Sequence, residues 1–213
     1  MRLWLPLAAV LFFVTQQASA SLVLNFSNLD DTQMTFAGGT FSFSSNDGYQ
    51  FSITSVNGGV GDSVGLEGYV SPGGPFTIGS ITINGSTQTA PVTGSSTLHI
   101  TDANSVDLTG TVQWNDITTL GVGGIVDLTG AVNLTGIAYA GTNNDLKALA
   151  AAGSASDVLS FQFVPAQTLT QLKTTGGSTS YSGSIAAAVP EPAAISLLGA
   201  GVLSLLASRR RRR

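Results

Sequence analysis

The sequence predicts an all-β fold: an antiparallel β-sandwich or jelly-roll-like body with one short helix, flanked by an N-terminal signal peptide and a C-terminal single transmembrane helix. Three observations predict it. Apolar residues recur with period two through the body, glycine-rich turn signals cut it at short intervals, and the long apolar runs lie at the two ends of the chain.

The chain opens with "MRLWLPLAAVLFFVTQQASA". One early charge, Arg2, precedes an apolar run from Leu3 to Val14, and a short polar stretch ends in Ala18-Ser19-Ala20. A basic start, an apolar middle and a small-residue cleavage site are the parts of a secretory leader. Cleavage by signal peptidase after Ala20 is expected, so that residues 1–20 are removed and Ser21 begins the exported protein. Export through Sec-type machinery follows from the same reading.

The body, residues 21–187, reads as strands. Gly-Gly pairs at 38–39, 58–59, 73–74, 123–124 and 176–177 and Asn-Gly steps at 57–58 and 84–85 mark turns. Between them Phe41 and Phe43 share a face, as do Tyr49, Phe51 and Ile53. In "VDLTGTVQW" Val106, Leu108, Val112 and Trp114 face inward. In "VDLTGAVNL", twenty residues on, Val126, Leu128, Val132 and Leu134 do the same. The shared "VDLTG" reads as a local duplication or as chance. In "FTIGSITI" the apolar parity shifts, which predicts a bulge near Gly79-Ser80. The helix is expected in "NNDLKALAAAG", capped by Asn144, with Asp145 in its first turn and Gly153 as its stop.

Composition excludes several functions. Between Ser21 and Ala188 the basic residues are Lys147 and Lys173, against eleven acids, a net charge of about −9. Such a body offers no patch for phosphates and excludes nucleic acid as a partner. The chain has no cysteine, so disulfides, thiolate nucleophiles and cysteine-built zinc sites are excluded.

The candidate chemistry is sparse. "GDSVG", Gly61 to Gly65, has the G-x-S-x-G spacing, and His99 is the chain's single histidine. A Ser63–His99 hydrolase would need Ser63 on a strand-to-helix elbow. The residues after it show no helical period, and His99 is expected to face solvent from its strand. Asp30, Asp31, Asp47, Asp62 and Asp102 fall in expected loops where a calcium site could assemble. None of them forms an EF-hand loop, and solvated loop acids are the plainer reading. Asp107 and Asp127 read as solubilising residues on polar strand faces. Tyr69, Tyr139, Tyr181 and Trp114 are candidates for stacking on sugars, with Trp114 better placed as core. No catalytic residue, metal ligand or cofactor is assigned.

The tail is more informative. Residues 189–213 read "VPEPAAISLLGAGVLSLLASRRRRR". An apolar helix over 193–208 is short for a hydrocarbon core of ~30 Å, but it spans when the flanking arginines snorkel. Arg209, Arg210, Arg211, Arg212 and Arg213 form the cytoplasmic stop that orients it. Pro190 and Pro192 keep the segment before it extended.

Val189-Pro190-Glu191-Pro192, the short apolar helix and the terminal arginines together resemble the PEP-CTERM sorting signal of Gram-negative bacteria. The resemblance covers residues 188–213. It implies that Val189, Pro190, Glu191 and Pro192 form the motif recognised by exosortase, a membrane protease that cuts off the tail. It further implies an exported protein, transiently anchored in the inner membrane and then located at the cell surface or outside the cell. The expectation is a non-enzymatic structural or interaction role linked to exopolysaccharide or biofilm. The alternatives are a carbohydrate- or calcium-dependent adhesive module and, more remotely, a serine hydrolase.

Overall fold

The computed structural model describes residues 19–45, 47–120 and 128–190. The expected apolar span 193–208, the arginines 209–213, Glu191, Pro192 and all of the leader up to Ala18 lie outside the described residues. Among those described, no helix is long and apolar enough to cross a membrane. The body forms one compact unit, Ala20–Val189.

Its architecture is a closed barrel with a small sheet appended. Eight strands make the barrel: β1 (Ser19–Asn28), β4 (Phe51–Asn57), β5 (Glu67–Ser71), β9 (Ser95–Thr101), β10 (Asp107–Leu120), β11 (Leu128–Ala138), β12 (Ser154–Phe161) and β14 (Tyr181–Pro190). They pair in that order, and β14 returns to β1. Each recorded pairing from β1 round to β14 is antiparallel. Eight strands with alternating direction bring β14 back antiparallel to β1, so the ring closes without an edge.

This corrects the expected sandwich. Period-two alternation specifies one buried face per strand, a demand that two facing sheets and one closed sheet satisfy equally. The curvature that decides between them comes from interruptions of the ladder. Register shifts fall at Asn25/Phe26, at Thr109/Thr111 and at Trp114/Asp116.

The shift at Trp114/Asp116 also starts the second sheet. One edge of β10 pairs with β9 up to Gln113 and then, from Asp116 to Leu120, with β8 (Thr87–Thr93). Beyond β8 lie β6 (Phe76–Ile78), β3 (Thr40–Phe43), β2 (Met34–Ala37) and β13 (Gly177–Thr179). The expected bulge at Gly79-Ser80 is a full break: the short β7 (Thr82–Asn84) pairs farther along the same β8 edge as β6.

Phenylalanines join the sheet to the end of the barrel where β12 stops and β14 begins. Phe36 packs on Phe161 and Phe163, Phe41 on Trp114, and Phe43 on Tyr181, with ring centroids 4.8–5.8 Å apart. Trp114 and Tyr181 are therefore core residues, each 4% exposed, and neither offers a free face to a sugar.

There are two helices where one was expected. In α1 (Asn144–Ala152) the cap is Asn143, whose side chain accepts from the Leu146 N–H, so Asn144 is the first helical residue. Gly153 ends it in a left-handed conformation, as expected. Leu146 and Leu149 are fully buried, and the helix packs on β11 and β12. The second helix, α2 (Leu169–Thr175), starts in a capping box in which Thr168 and Gln171 satisfy each other's backbone N–H groups.

Candidate functional site

The last barrel strand carries the tail. Along β14 the side chains of Tyr181, Ile185, Ala187 and Val189 are buried and alternate with more exposed neighbours. Val189 is 8% exposed, and the strand runs on through Pro190. Val189, the first residue of the expected sorting motif, thus packs with the body, and the strand ends at Pro190. Because β1 and β14 run antiparallel side by side, the first residues of β1 and the last of β14 share one end of the barrel.

That end is built by the loop 58–66, the loop 139–143 and the first turn of α1, tied by carboxylates. Asp145, 1% exposed, accepts from the backbone N–H groups of Val60 at 2.7 Å and Ser63 at 3.1 Å. Asp62 accepts in return from the N–H groups of Asn144 at 2.7 Å and Asp145 at 3.1 Å, which lie at the positive end of the helix dipole. Burial pushes the Asp62 carboxyl up, but these donors together hold it below its ordinary value of 3.8.

In the 102–106 turn, Asp102 accepts from the Tyr139 hydroxyl and from the N–H groups of Val106 and Asn104, each at 2.8 Å. The Tyr139 hydroxyl and then the Val106 N–H are the main causes that hold its carboxyl below 3.8. Tyr139, a candidate for sugar stacking, is thereby tied into this network. Asp62, Asp102, Asn104 and Asn143 line an open polar depression. The carboxylates around it are committed to backbone donors and close three loops.

The structure does not assemble the Ser63–His99 pair. Ser63 is fully buried, with its hydroxyl donating to Asn143 Oδ1 at 2.9 Å. His99 Nδ1 lies 3.2 Å from Asp107 Oδ2, and its ring stacks on Tyr69 at 4.4 Å with an interplanar angle of 1°. His99 lies on the outer face of its strand, the side expected, and is partly covered by these neighbours. Asp107 also takes the Thr101 hydroxyl at 2.8 Å and is a hub of this outer-face cluster. One face of Tyr69 is taken by the imidazole, and Tyr49 packs edge-on at 6.0 Å.

The loop acids are dispersed. Among the described residues no group of three or more acid or histidine side chains is placed to hold a metal ion.

One notable residue escaped the sequence reading. Asp157 on β12 points into the barrel, 8% exposed, and its Oδ1 has no hydrogen-bond partner. It borders a cavity of about 20 Å³ shared with Phe26, Gln50, Tyr181 and Ile185, room for a single water. The neighbouring polar groups are satisfied: the Tyr181 hydroxyl donates to the Gln50 carbonyl at 2.9 Å, and Gln50 Oε1 accepts from the Val70 N–H at 2.8 Å. Desolvation pushes the Asp157 carboxyl up to about 7. Parity along "SASDVLSF" carries the signal, because Asp157 shares the face of Leu159 and Phe161.

Comparison with known proteins finds a sorting motif in the tail. The PEP-CTERM protein-sorting motif matches residues 188–212. The chain matches no curated protein and no solved structure. The motif implies processing by exosortase, a membrane protease, and hence an exported protein that is membrane-anchored until it is cut. By its C-terminal region, the chain is a PEP-CTERM sorting domain-containing protein.

Proposed function

We propose that this is a cell-surface or extracellular-matrix protein whose barrel is the delivered cargo and whose tail is a discarded address. The leader 1–20 exports the chain, the apolar run 193–208 halts it, and Arg209 to Arg213 stay in the cytoplasm. Exosortase then removes the tail. The motif at residues 188–212 carries this reading. Two properties of the body support a non-enzymatic role in a polysaccharide-rich matrix. Its candidate nucleophile, Ser63, is buried and hydrogen-bonded to Asn143. Its net charge is about −9, which opposes self-association in a crowded matrix.

Expression in the native host, with and without its exosortase, tests the reading. Intact-mass measurement is expected to show Ser21 at the N-terminus in both. The tail is expected to be absent from the protein only where exosortase is present. A mature protein that retains Arg213 in the exosortase-bearing host overturns it.

A further inference from the structure

The body carries two Asn-Gly steps, Asn57-Gly58 and Asn84-Gly85, and the fold treats them in opposite ways. We propose that Asn84 is a self-modification site, where the side-chain amide is hydrolysed to isoaspartate and aspartate with water as co-reactant, and that the barrel shields Asn57 from the same reaction. The backbone nitrogen of Gly85 gives up its proton and attacks Asn84 Cγ. A C–N bond forms, the bond to the side-chain nitrogen breaks, and ammonia leaves with the proton. Water then opens the cyclic imide at either carbonyl, at Cγ to give aspartate and at the backbone carbonyl to give isoaspartate. An amide becomes a carboxylate, and nothing is oxidised or reduced. Glycine in the second position favours ring closure, because it has no side chain to crowd the attacking nitrogen and its backbone turns freely.

Ring closure requires the asparagine to swing out of its strand and the next backbone nitrogen to come free. Asn84 ends β7, whose three residues are all exposed. This strand pairs with β8, and Asn84 faces Thr87 across the two-residue turn Gly85-Ser86. Gly85 sits at φ 60°, and a Cβ there would meet nothing within 4 Å. Swinging this hairpin tip displaces no packed side chain, and an exposed strand end opens at little cost.

Asn57 differs at each point. It pairs with Val23 at the end of β4, within the ladder of the barrel. A Cβ on Gly58 would lie 2.0 Å from the Ser21 carbonyl oxygen, and one on Gly59 would lie 2.3 Å from Asp145 Oδ1. Asp145 also holds the Val60 N–H at 2.7 Å. Turning Asn57 toward its imide would pull the chain off β1 and α1 together. At Asn84 the main product, isoaspartate, adds a methylene to the backbone beside the turn that sets the register of β7 on β8. The loosening stops at β8, because Gln88, opposite Ile83, is held by α2 through the Thr170 N–H at 2.9 Å.

Peptide mapping of the full-length protein, incubated in mildly alkaline buffer, tests this by mass spectrometry with fragmentation that separates isoaspartate from aspartate. Asn84 is expected to convert, mainly to isoaspartate, with Asn57 slower by at least about tenfold. In urea strong enough to unfold the chain, the two steps are expected to convert at similar rates. Equal rates in the folded protein, or a difference that persists in urea, overturns the proposal, since the fold would then not be what selects Asn84. An Asn84 that stays intact in the folded protein while the unfolded chain converts also overturns it. In the converted protein, hydrogen exchange is expected to rise at Thr82 and Ile83 while the β10–β11 seam keeps its protection. Protection lost equally at that seam would overturn the confinement of the change to β7.

Discussion

The ring of Trp114 on β10 occupies the space left by the missing side chain of Gly130 on β11: a Cβ there would lie 2.2 Å from Trp114 Cζ3. The arrangement is reciprocal. A Cβ on Gly110 would lie 2.7 Å from Leu134 Cδ1. Gly110 and Gly130 end the two copies of "VDLTG", and Trp114 and Leu134 each stand four residues beyond them. Each copy thus supplies the large residue that fills the other's glycine. The antiparallel pairing of β10 with β11 brings the two copies together, with Trp114 opposite Val132 and Val112 opposite Leu134. The repeat is a packing device of the barrel's longest seam.

Alanine at either glycine is expected to destabilise the barrel by overpacking, by about 1–3 kcal/mol. The cost should be larger for Gly130→Ala, because an indole cannot yield as a leucine methyl can. Urea titration followed by fluorescence measures it. Trp4 lies in the leader, so Trp114 is the sole tryptophan of a protein beginning at Ser21.

Asp157 makes stability fall as pH rises. Its carboxyl is pushed up to about 7 in the folded barrel, against 3.8 for the ordinary group, so the folded state holds a proton that the unfolded chain gives up. The loss accumulates between about pH 4 and 7, amounts to as much as about 4 kcal/mol, and levels off above. Asp157→Asn should flatten this slope and be more stable than the native protein at pH 8. Thermal melts of both proteins across pH 4–8 provide the check.

Asp62 and Asp102 act in the opposite sense. Their carboxyls lie below 3.8 when folded, so the stability they contribute is present above that value and is lost as pH falls below it, through their lower folded-state values. With Asp157 drawing stability toward low pH, the maximum should lie on the acid side of neutrality. Hydrogen exchange followed as pH is lowered below 3.8 should show protection lost first at Asn144 and Val106, whose N–H groups these carboxylates accept.

Asp145→Ala should open the loop 58–66. It removes the acceptor of the Val60 and Ser63 N–H groups, the second of which is buried. A cost of roughly 2–4 kcal/mol follows from orphaning donors that now bond to a charged partner. Exchange rates at Val60 and Ser63 should rise well above those of the β10–β11 seam, and equal protection in the variant would refute this role.

Much of the body was legible residue by residue. Period two placed Leu108, Val112, Trp114, Val132 and Leu134 in the core, and Gly153 ended the helix where a left-handed residue was needed. The capping box at Thr168 and Gln171 was readable as well, and would have revealed α2. Asn143 displaced Asn144 as cap because its side chain also accepts from Ser63, eighty residues away. The inward place of Asp157 was visible in its parity, but a carboxylate on a strand reads as solvent-facing until the neighbouring strands are known.

The sequence by itself determined the β class, the turns, the acidity of the body and the identity of the tail. Each of these rests on local pattern or on covalent order. Only the tertiary structure decided that the strands close into a barrel, that Ser63 and His99 serve separate networks, and that Val189 packs into the body. Closure depends on register shifts and on which strand meets which, and burial is a property of the neighbours. Neither is written into the alternation of a single strand.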